Sequence, residues 1–231
     1  MSYLDIPHRL ADVRARAAEA AARAGRPSSD IHVIAVSKTF PVDAVRAAYD
    51  AGQRDFGENK VQEGLQKIAR SADIQIRWHL IGHLQSNKAR KAAEHFTALH
   101  AIDSVELLQR VDQAAASKGR TITVLAQVDL ALEPTKHGAP IEVVRAIFAA
   151  ARSCTAAQIA GLMLLPPLVE NPEDARPWFR QLRDLKSRLL DDGVPPAFVK
   201  ELSMGMSHDF EVAIEEGATM VRVGTAIFGE R

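Results

Sequence analysis

The chain has 231 residues, of which 47% are hydrophobic, and this is enough for one large domain with a sizeable core. Its 29 basic and 29 acidic residues balance, so no net field favours nucleic acid or an anionic membrane. A single cysteine excludes an intramolecular disulfide and a cysteine-rich metal cluster. Since the sequence also lacks a long apolar run and an apolar leader, we expect a cytoplasmic protein that binds a small molecule.

The first two predicted elements are a helix and a buried strand. Residues 2–24 form an amphipathic pattern that Gly25 and Pro27 end. A β-branched run from Ile31 then stops at Pro41, which is typical of a strand buried on both faces. This strand carries Lys38 to its C-terminal end.

Helical and strand patterns alternate along the rest of the chain. Helices are predicted at residues 42–50, 60–70, 84–95, 105–117, 141–152, 173–190 and 210–216. Strands are predicted at residues 54–56, 76–80, 97–101, 121–128, 159–164, 198–202 and 219–223. With the first strand, this alternation predicts an α/β fold, a single (β/α)8 TIM barrel over residues 1–231. Few residues follow the last strand, so the extra N-terminal helix (1–25) is expected to cover the place of a full eighth helix.

In such a barrel the C-terminal ends of the strands meet in one mouth, where ligands bind. The candidates at these ends are Lys38, Glu58, Asn59, His79, His83, Asp103, Ser104, Asp129, Lys136, residues 163–167, residues 203–207 and residues 222–225. His79 and His83 are four residues apart but flank a strand end, which favours hydrogen bonding over metal ligation.

The last two strand ends are rich in small and hydroxyl-bearing residues, as barrel phosphate sites commonly are. Ser203 and Ser207 offer hydroxyls, Gly205 permits close approach, and Gly224 with Thr225 forms a second lobe. Ser207 is also a natural N-cap of the following helix, and this purely structural alternative stays open.

A lysine opposite a phosphate site predicts an aldehyde that carries a phosphate, and pyridoxal 5'-phosphate fits this description. Lys38 would form the Schiff base. Arg222 lies just before Gly224, and an arginine facing the pyridine nitrogen would donate to it and keep it unprotonated. The alternatives are a solvated lysine at a strand end and an arginine in an ion pair.

Five sequence blocks closely resemble the signatures of the pyridoxal phosphate homeostasis protein family (YggS/PROSC-like). They are AVSKT (35–39), FGENKVQE (56–63), WHLIGHLQSNK (78–88), LSMGMSHDF (202–210) and VRVGTAIFG (221–229). The resemblance implies a barrel similar to the N-terminal domain of alanine racemase, with Lys38 carrying the cofactor. It also implies that the cofactor is bound by Asn59, Ser203, Met204, Ser207, Arg222, Gly224 and Thr225. Leu162, Met163 and Lys136 fall in further matching blocks, whereas Phe40 stands where many members have a second lysine.

Three functions are compatible with these residues. The favoured one is a carrier that buffers or delivers pyridoxal phosphate without robust catalysis, with apo-enzymes as possible recipients. The second is a racemase or lyase, but the chain stops soon after the last strand and Tyr3 and Tyr49 lie away from the strand ends, which leaves no evident second proton-transfer group. The third is a Schiff-base aldolase, which would not need Arg222. We expect a monomer, with no catalytic residue and no metal.

Overall fold

The computed structural model describes residues 3–131 and 137–230, and eight parallel strands in these ranges close into a barrel in chain order. The strands are β1 (His32–Val36), β2 (Asp55–Glu58), β3 (Arg77–Leu80), β4 (Ala98–Ile102), β5 (Ile122–Val128), β6 (Ala157–Leu164), β7 (Glu201–Met206) and β8 (Met220–Val223). β1 closes the ring by pairing with β8, where His32 lies opposite Met220 and Ala35 opposite Val223. The predicted α/β TIM barrel is therefore confirmed.

Helices form the outer layer. They are α1 (Ile6–Arg23), α2 (Val42–Asp50), α3 (Val61–Arg70), α4 (Ala89–His95), α5 (Val105–Ala116), α6 (Ile141–Ala151), α7 (Arg176–Asp191), α8 (Phe210–Glu215) and α9 (Thr225–Phe228). Their apolar faces pack on the strands, and large aromatic side chains such as Phe56, Phe96 and Phe179 are fully buried in this layer. Among the helices of the described residues, none has both the length and the apolar content needed to cross a bilayer.

α1 covers the edge that the short α9 leaves open, as predicted. Ile6, Leu10, Val13 and Ala17 are buried at helical spacing, and α1 contacts α2, α8 and α9. The guanidinium of Arg16 also pairs with Glu211 on α8 at 2.5 Å. The extra helix is thus part of the barrel's outer ring.

The main difference from the sequence prediction concerns β7. The apolar run at residues 198–202 predicts the strand, but residues Pro196–Val199 form a 3-10 turn, because Pro195 at its N-cap and Pro196 at its first position favour a turn. The strand instead extends through Met206. Ser203 and Met204 therefore lie within a strand rather than in the loop after it.

Candidate functional site

A cavity of about 470 Å³ opens at the C-terminal ends of the strands. This volume lies within the range of small-molecule sites. The lining residues are Val36, Lys38, Asn59, Ile81, Gly82, His83, Leu165, Met206, Ser207, His208, Arg222, Gly224 and Thr225. None of these described residues is acidic, whereas Lys38 and Arg222 are basic, so the cavity favours an anionic ligand.

Six of the eight predicted cofactor-binding residues line this one cavity. They are Lys38, Asn59, Ser207, Arg222, Gly224 and Thr225. They come from the ends of β1, β2, β7 and β8, which the closed ring brings together although they are far apart in sequence. The geometry is therefore consistent with a common ligand for these residues.

Lys38 lies in a tight turn two residues after β1. Phe40 N donates to Ser37 O at 3.0 Å, and Thr39 has a φ of +68°, a value that side-chain-bearing residues seldom adopt. Thr39 N donates to Glu63 Oε1 at 2.6 Å, which ties this turn to α3. Lys38 is half-buried, and the hydrogen bonds of Phe40 N and Thr39 N fix the backbone of its turn.

Glu58, Lys67 and Ser37 form a hydrogen-bonded cluster beside this turn, although Glu58 was predicted to lie in the mouth. Glu58 instead ends β2 with its side chain directed toward α3, where Lys67 Nζ donates to its Oε1 at 2.7 Å. Ser37 Oγ donates to the same oxygen at 2.6 Å, and Lys67 also donates to Ser37 O at 2.7 Å. Glu58 therefore supports the Lys38 turn and does not line the cavity.

The Ser207 hydroxyl lies at the convergence of two backbone amides. Gly224 N and Ala226 N donate to Ser207 Oγ at 3.0 and 3.4 Å. Ser207 does not cap the following helix, because α8 begins after Asp209 and Asp209 itself accepts from Met206 N at 2.6 Å. The structural alternative for Ser207 is thus wrong, and amide donors and a hydroxyl converge at this corner of the cavity, as anion sites require.

Arg222 is buried where the cavity meets the barrel interior. Nη1 donates to Ser203 Oγ at 2.7 Å and Nη2 donates to Leu164 O at 2.8 Å. Burial lowers the pKa of Arg222 to about 10, so the group is still charged at neutral pH. Both of these acceptors are neutral, which does not support the ion-pair alternative.

Ser203 and Met204 do not line the cavity. Because residues alternate along β7, the Ser203 side chain lies inside the barrel, bonded to Arg222 and to His100 Nδ1 at 2.9 Å. Met204 packs in the core instead. The extension of β7 thus corrects the expectation that these two side chains lie in the mouth.

The histidines are arranged differently from the prediction. His79 lies in the barrel interior, where Nδ1 is 3.0 Å from His100 Nε2. His83 lines the cavity, stacks on His137 with ring centroids 3.7 Å apart, and has Nδ1 3.6 Å from Asp103. Sequence reasoning missed His100, although a lone polar residue in the apolar run of β4 was the available signal.

The other candidates lie outside the cavity or outside the described residues. Leu162 and Met163 are buried in β6, and Lys136 lies outside the described residues. Phe40 packs against Phe228 with ring centroids 5.3 Å apart. Tyr3 and Tyr49 do not line the cavity, as predicted.

Known proteins share both this sequence and this fold. A family model for the alanine racemase N-terminal domain matches residues 9–231. The pyridoxal phosphate homeostasis protein of Aquifex aeolicus (strain VF5) is 40% identical over 223 residues, which cover 96% of this chain and 97% of the relative. The protein of the same name from Pseudomonas aeruginosa is 42% identical and covers 98% of this chain and 96% of its own length.

A solved structure extends the likeness to three dimensions. PipY of Synechococcus elongatus PCC7942, with pyridoxal phosphate bound, aligns with a TM-score of 0.84 at 42% identity over 97% of this chain and 100% of PipY. Sequence and fold thus agree over nearly the whole length. The chain belongs to the pyridoxal phosphate homeostasis protein family, within the larger group that shares the alanine racemase N-terminal domain.

Proposed function

We propose that this protein binds pyridoxal 5'-phosphate as a Schiff base on Lys38 and buffers or delivers it inside the cell. The observation that carries this proposal is the acid-free cavity in which Lys38, Arg222 and the Ser207 corner meet. When bound, the cofactor would supply an aldehyde for the amine and a phosphate for the hydroxyl and amides. The relatives named for pyridoxal phosphate homeostasis support the same function.

Different residues of the cavity would bind the phosphate, the pyridine nitrogen and the ring of the cofactor. Ser207, Gly224 and Thr225 would bind the phosphate through hydroxyls and backbone amides. Arg222 is donor-only and would face the pyridine nitrogen, which keeps that nitrogen unprotonated and weakens the cofactor as an electron sink. Asn59 would lie beside the ring, while Ser203 and Met204 would act only indirectly, through Arg222 and through packing.

A chemical trap tests the proposal. Purified protein loaded with the cofactor should show a visible absorption band, and borohydride should fix the cofactor on the peptide that contains Lys38. Lys38→Ala should lose both the band and the modified peptide. Lys60→Ala, which removes an exposed lysine near the same mouth, should keep both. Cofactor fixed on another lysine, with Lys38→Ala unchanged, would contradict the proposal.

A carrier is favoured over a racemase because neither Tyr3 nor Tyr49 lines the cavity, so no tyrosine of this chain is positioned for proton transfer there. The cavity is also open, which allows cofactor exchange and admits water. Amino-acid racemisation assays on the loaded protein should show little or no turnover. Monomeric state, cytoplasmic location and delivery to apo-enzymes stay predictions.

A further inference from the structure

A row of polar side chains crosses the inside of the barrel from the cavity to the opposite rim. It begins at Arg222, whose Nη1 lies 2.7 Å from Ser203 Oγ. His100 Nδ1 lies 2.9 Å from the same oxygen, and His100 Nε2 lies 3.0 Å from His79 Nδ1. His79 Nε2 is 3.1 Å from Asp55 Oδ1, at the N-terminal end of β2. There Asp55 pairs with the exposed Arg77 at 2.5 Å.

These contacts cross the interior because they join strands that are not neighbours. His100 is on β4 and Ser203 is on β7, yet their side chains are in hydrogen-bond contact. Barrel interiors are usually filled by branched apolar side chains, and a buried polar group is costly unless it is bonded. Arg222, Ser203, His100 and His79 are all buried in this row. Such a row indicates a function that apolar packing would not provide.

The two ends of the row determine the direction of every hydrogen bond when both imidazoles are neutral. Arg222 can only donate, and the ionised Asp55 can only accept. His79 must then carry its proton on Nε2 and accept at Nδ1. His100 must likewise donate from Nε2 and accept at Nδ1, which leaves the Ser203 hydroxyl to donate to His100 and accept from Arg222.

The charge states that this direction requires agree with the surroundings. Burial raises the pKa of Asp55, but hydrogen bonds from His79 and Arg77 outweigh it and lower the pKa to about 2. Burial, the largest cause, and the cationic Arg222 hold the pKa of His100 well below its ordinary value, so this imidazole is neutral. If His79 were an imidazolium instead, both of its nitrogens would donate, and the bonds at His100 would reverse.

We propose that Asp55, His79, His100 and Ser203 are positioning residues for Arg222, forming one directed row of hydrogen bonds that holds the guanidinium at the cofactor's pyridine nitrogen. This inference rests on the proposed function. Its consequence is that cofactor binding depends on Asp55, a residue at the far rim that does not line the cavity. A residue that only stabilises the fold would not have this effect on the cofactor.

Matched variants test this long-range dependence. Asp55→Asn keeps the shape but removes the anion, and we expect the dissociation constant for pyridoxal phosphate to rise at least about fivefold. Asp112→Asn is the control, because Asp112 accepts from the backbone amides of Thr155, Ala156 and Ala157 where β6 begins, and no hydrogen bond among the described residues joins it to Arg222. Its dissociation constant should stay within about twofold of wild type.

Equal effects of the two variants, or no effect of Asp55→Asn, would overturn the proposal. If Asp55→Asn does not fold, His79→Gln interrupts the row one residue further from the rim and is judged by the same titration. The titration uses the cofactor's absorption band at pH 8, where an ordinary imidazole is neutral.

A second measurement needs no cofactor. Nitrogen-15 chemical shifts of the imidazoles in the unloaded protein at pH 8 should show His79 and His100 both neutral and protonated on Nε2. An imidazolium at either position, or a proton on Nδ1 of His100, would refute the directed row. If the wild-type protein does not bind pyridoxal phosphate, the proposed function fails, whereas these chemical shifts still decide whether the row exists.

Discussion

Glu58 carries a carboxylate with no exposed surface, and its environment explains how the Lys38 turn is held. One oxygen accepts from Lys67 and Ser37, whereas Oε2 has no partner among the described residues. Burial raises the pKa of Glu58 even though those hydrogen bonds lower it. Lys67 is therefore the cation that offsets the free-energy cost of burying the Glu58 carboxylate beneath the turn.

Removing that cation should destabilise the protein strongly. Lys67→Met leaves a buried carboxylate without its cation, and we expect the free energy of unfolding to fall by about 3 kcal/mol or more at neutral pH. The loss should grow as pH rises, because the unpaired Glu58 must then bind a proton to remain folded. Urea denaturation at pH 5 and pH 8 measures both effects.

Two controls accompany this prediction. Lys118→Met removes an exposed partner of Glu94, at 3.7 Å, and should cost less than about 1 kcal/mol. The double variant Glu58→Gln with Lys67→Met should recover part of the lost stability. A Lys67→Met protein as stable as the Lys118→Met protein would show that the buried pair does not support the turn.

At the scale of elements, α1 acts as part of the outer ring although it precedes β1. Leu10 is 1% exposed at the centre of its buried face. Leu10→Ala should lower the free energy of unfolding by about 2–5 kcal/mol, because it removes buried methyl groups and leaves a cavity. Leu168→Ala, at a leucine that is 93% exposed, should change it by less than about 0.5 kcal/mol. Equal small effects in urea denaturation would mean that α1 is not packed as described.

The order of the elements was predictable, whereas some boundaries were not. Apolar runs such as residues 121–128 and 219–223 are strands buried on both faces, and a continuous apolar run in the sequence predicts such a strand. At β7 the same rule failed, since Val199 is buried and Phe198 partly buried in a 3-10 turn rather than in a strand. Burial in the core does not distinguish the two conformations over so few residues.

The site was predictable where backbone position decides the role. Lys38, Ser207 and Gly224 follow strand ends, and any parallel barrel brings such ends together. The row through His100 was not predictable, because contacts between β4 and β7 depend on which side chains point inward and how far they reach. Only the three-dimensional structure specifies those two quantities.

At the scale of the whole molecule, the interior row makes stability sensitive to acid. The pKa of Asp55 is about 2 in the folded protein against an ordinary value of 3.8, so its ionised form favours folding. This contribution, about 2 kcal/mol, is complete above about pH 5 and is lost as pH falls through 2. The difference in unfolding free energy between wild type and Asp55→Asn should therefore shrink between pH 5 and pH 2.

The exposed Asp50 provides the comparison for this titration. Asp50→Asn should differ from wild type by less than about 0.5 kcal/mol throughout the same pH range. A difference between wild type and Asp55→Asn that stays constant down to pH 2 would mean that Asp55 is not held ionised by its partners.

The pairing of β1 with β8 has a consequence for biosynthesis. Lys38 is translated well before Arg222 and Gly224, and the ring needs β8 to close. A nascent chain therefore exposes the Lys38 amine before the side of the cavity that Arg222 and Gly224 form exists. On the proposed function, a chain that terminates before β8 would therefore not bind pyridoxal phosphate and would not deplete the cellular supply.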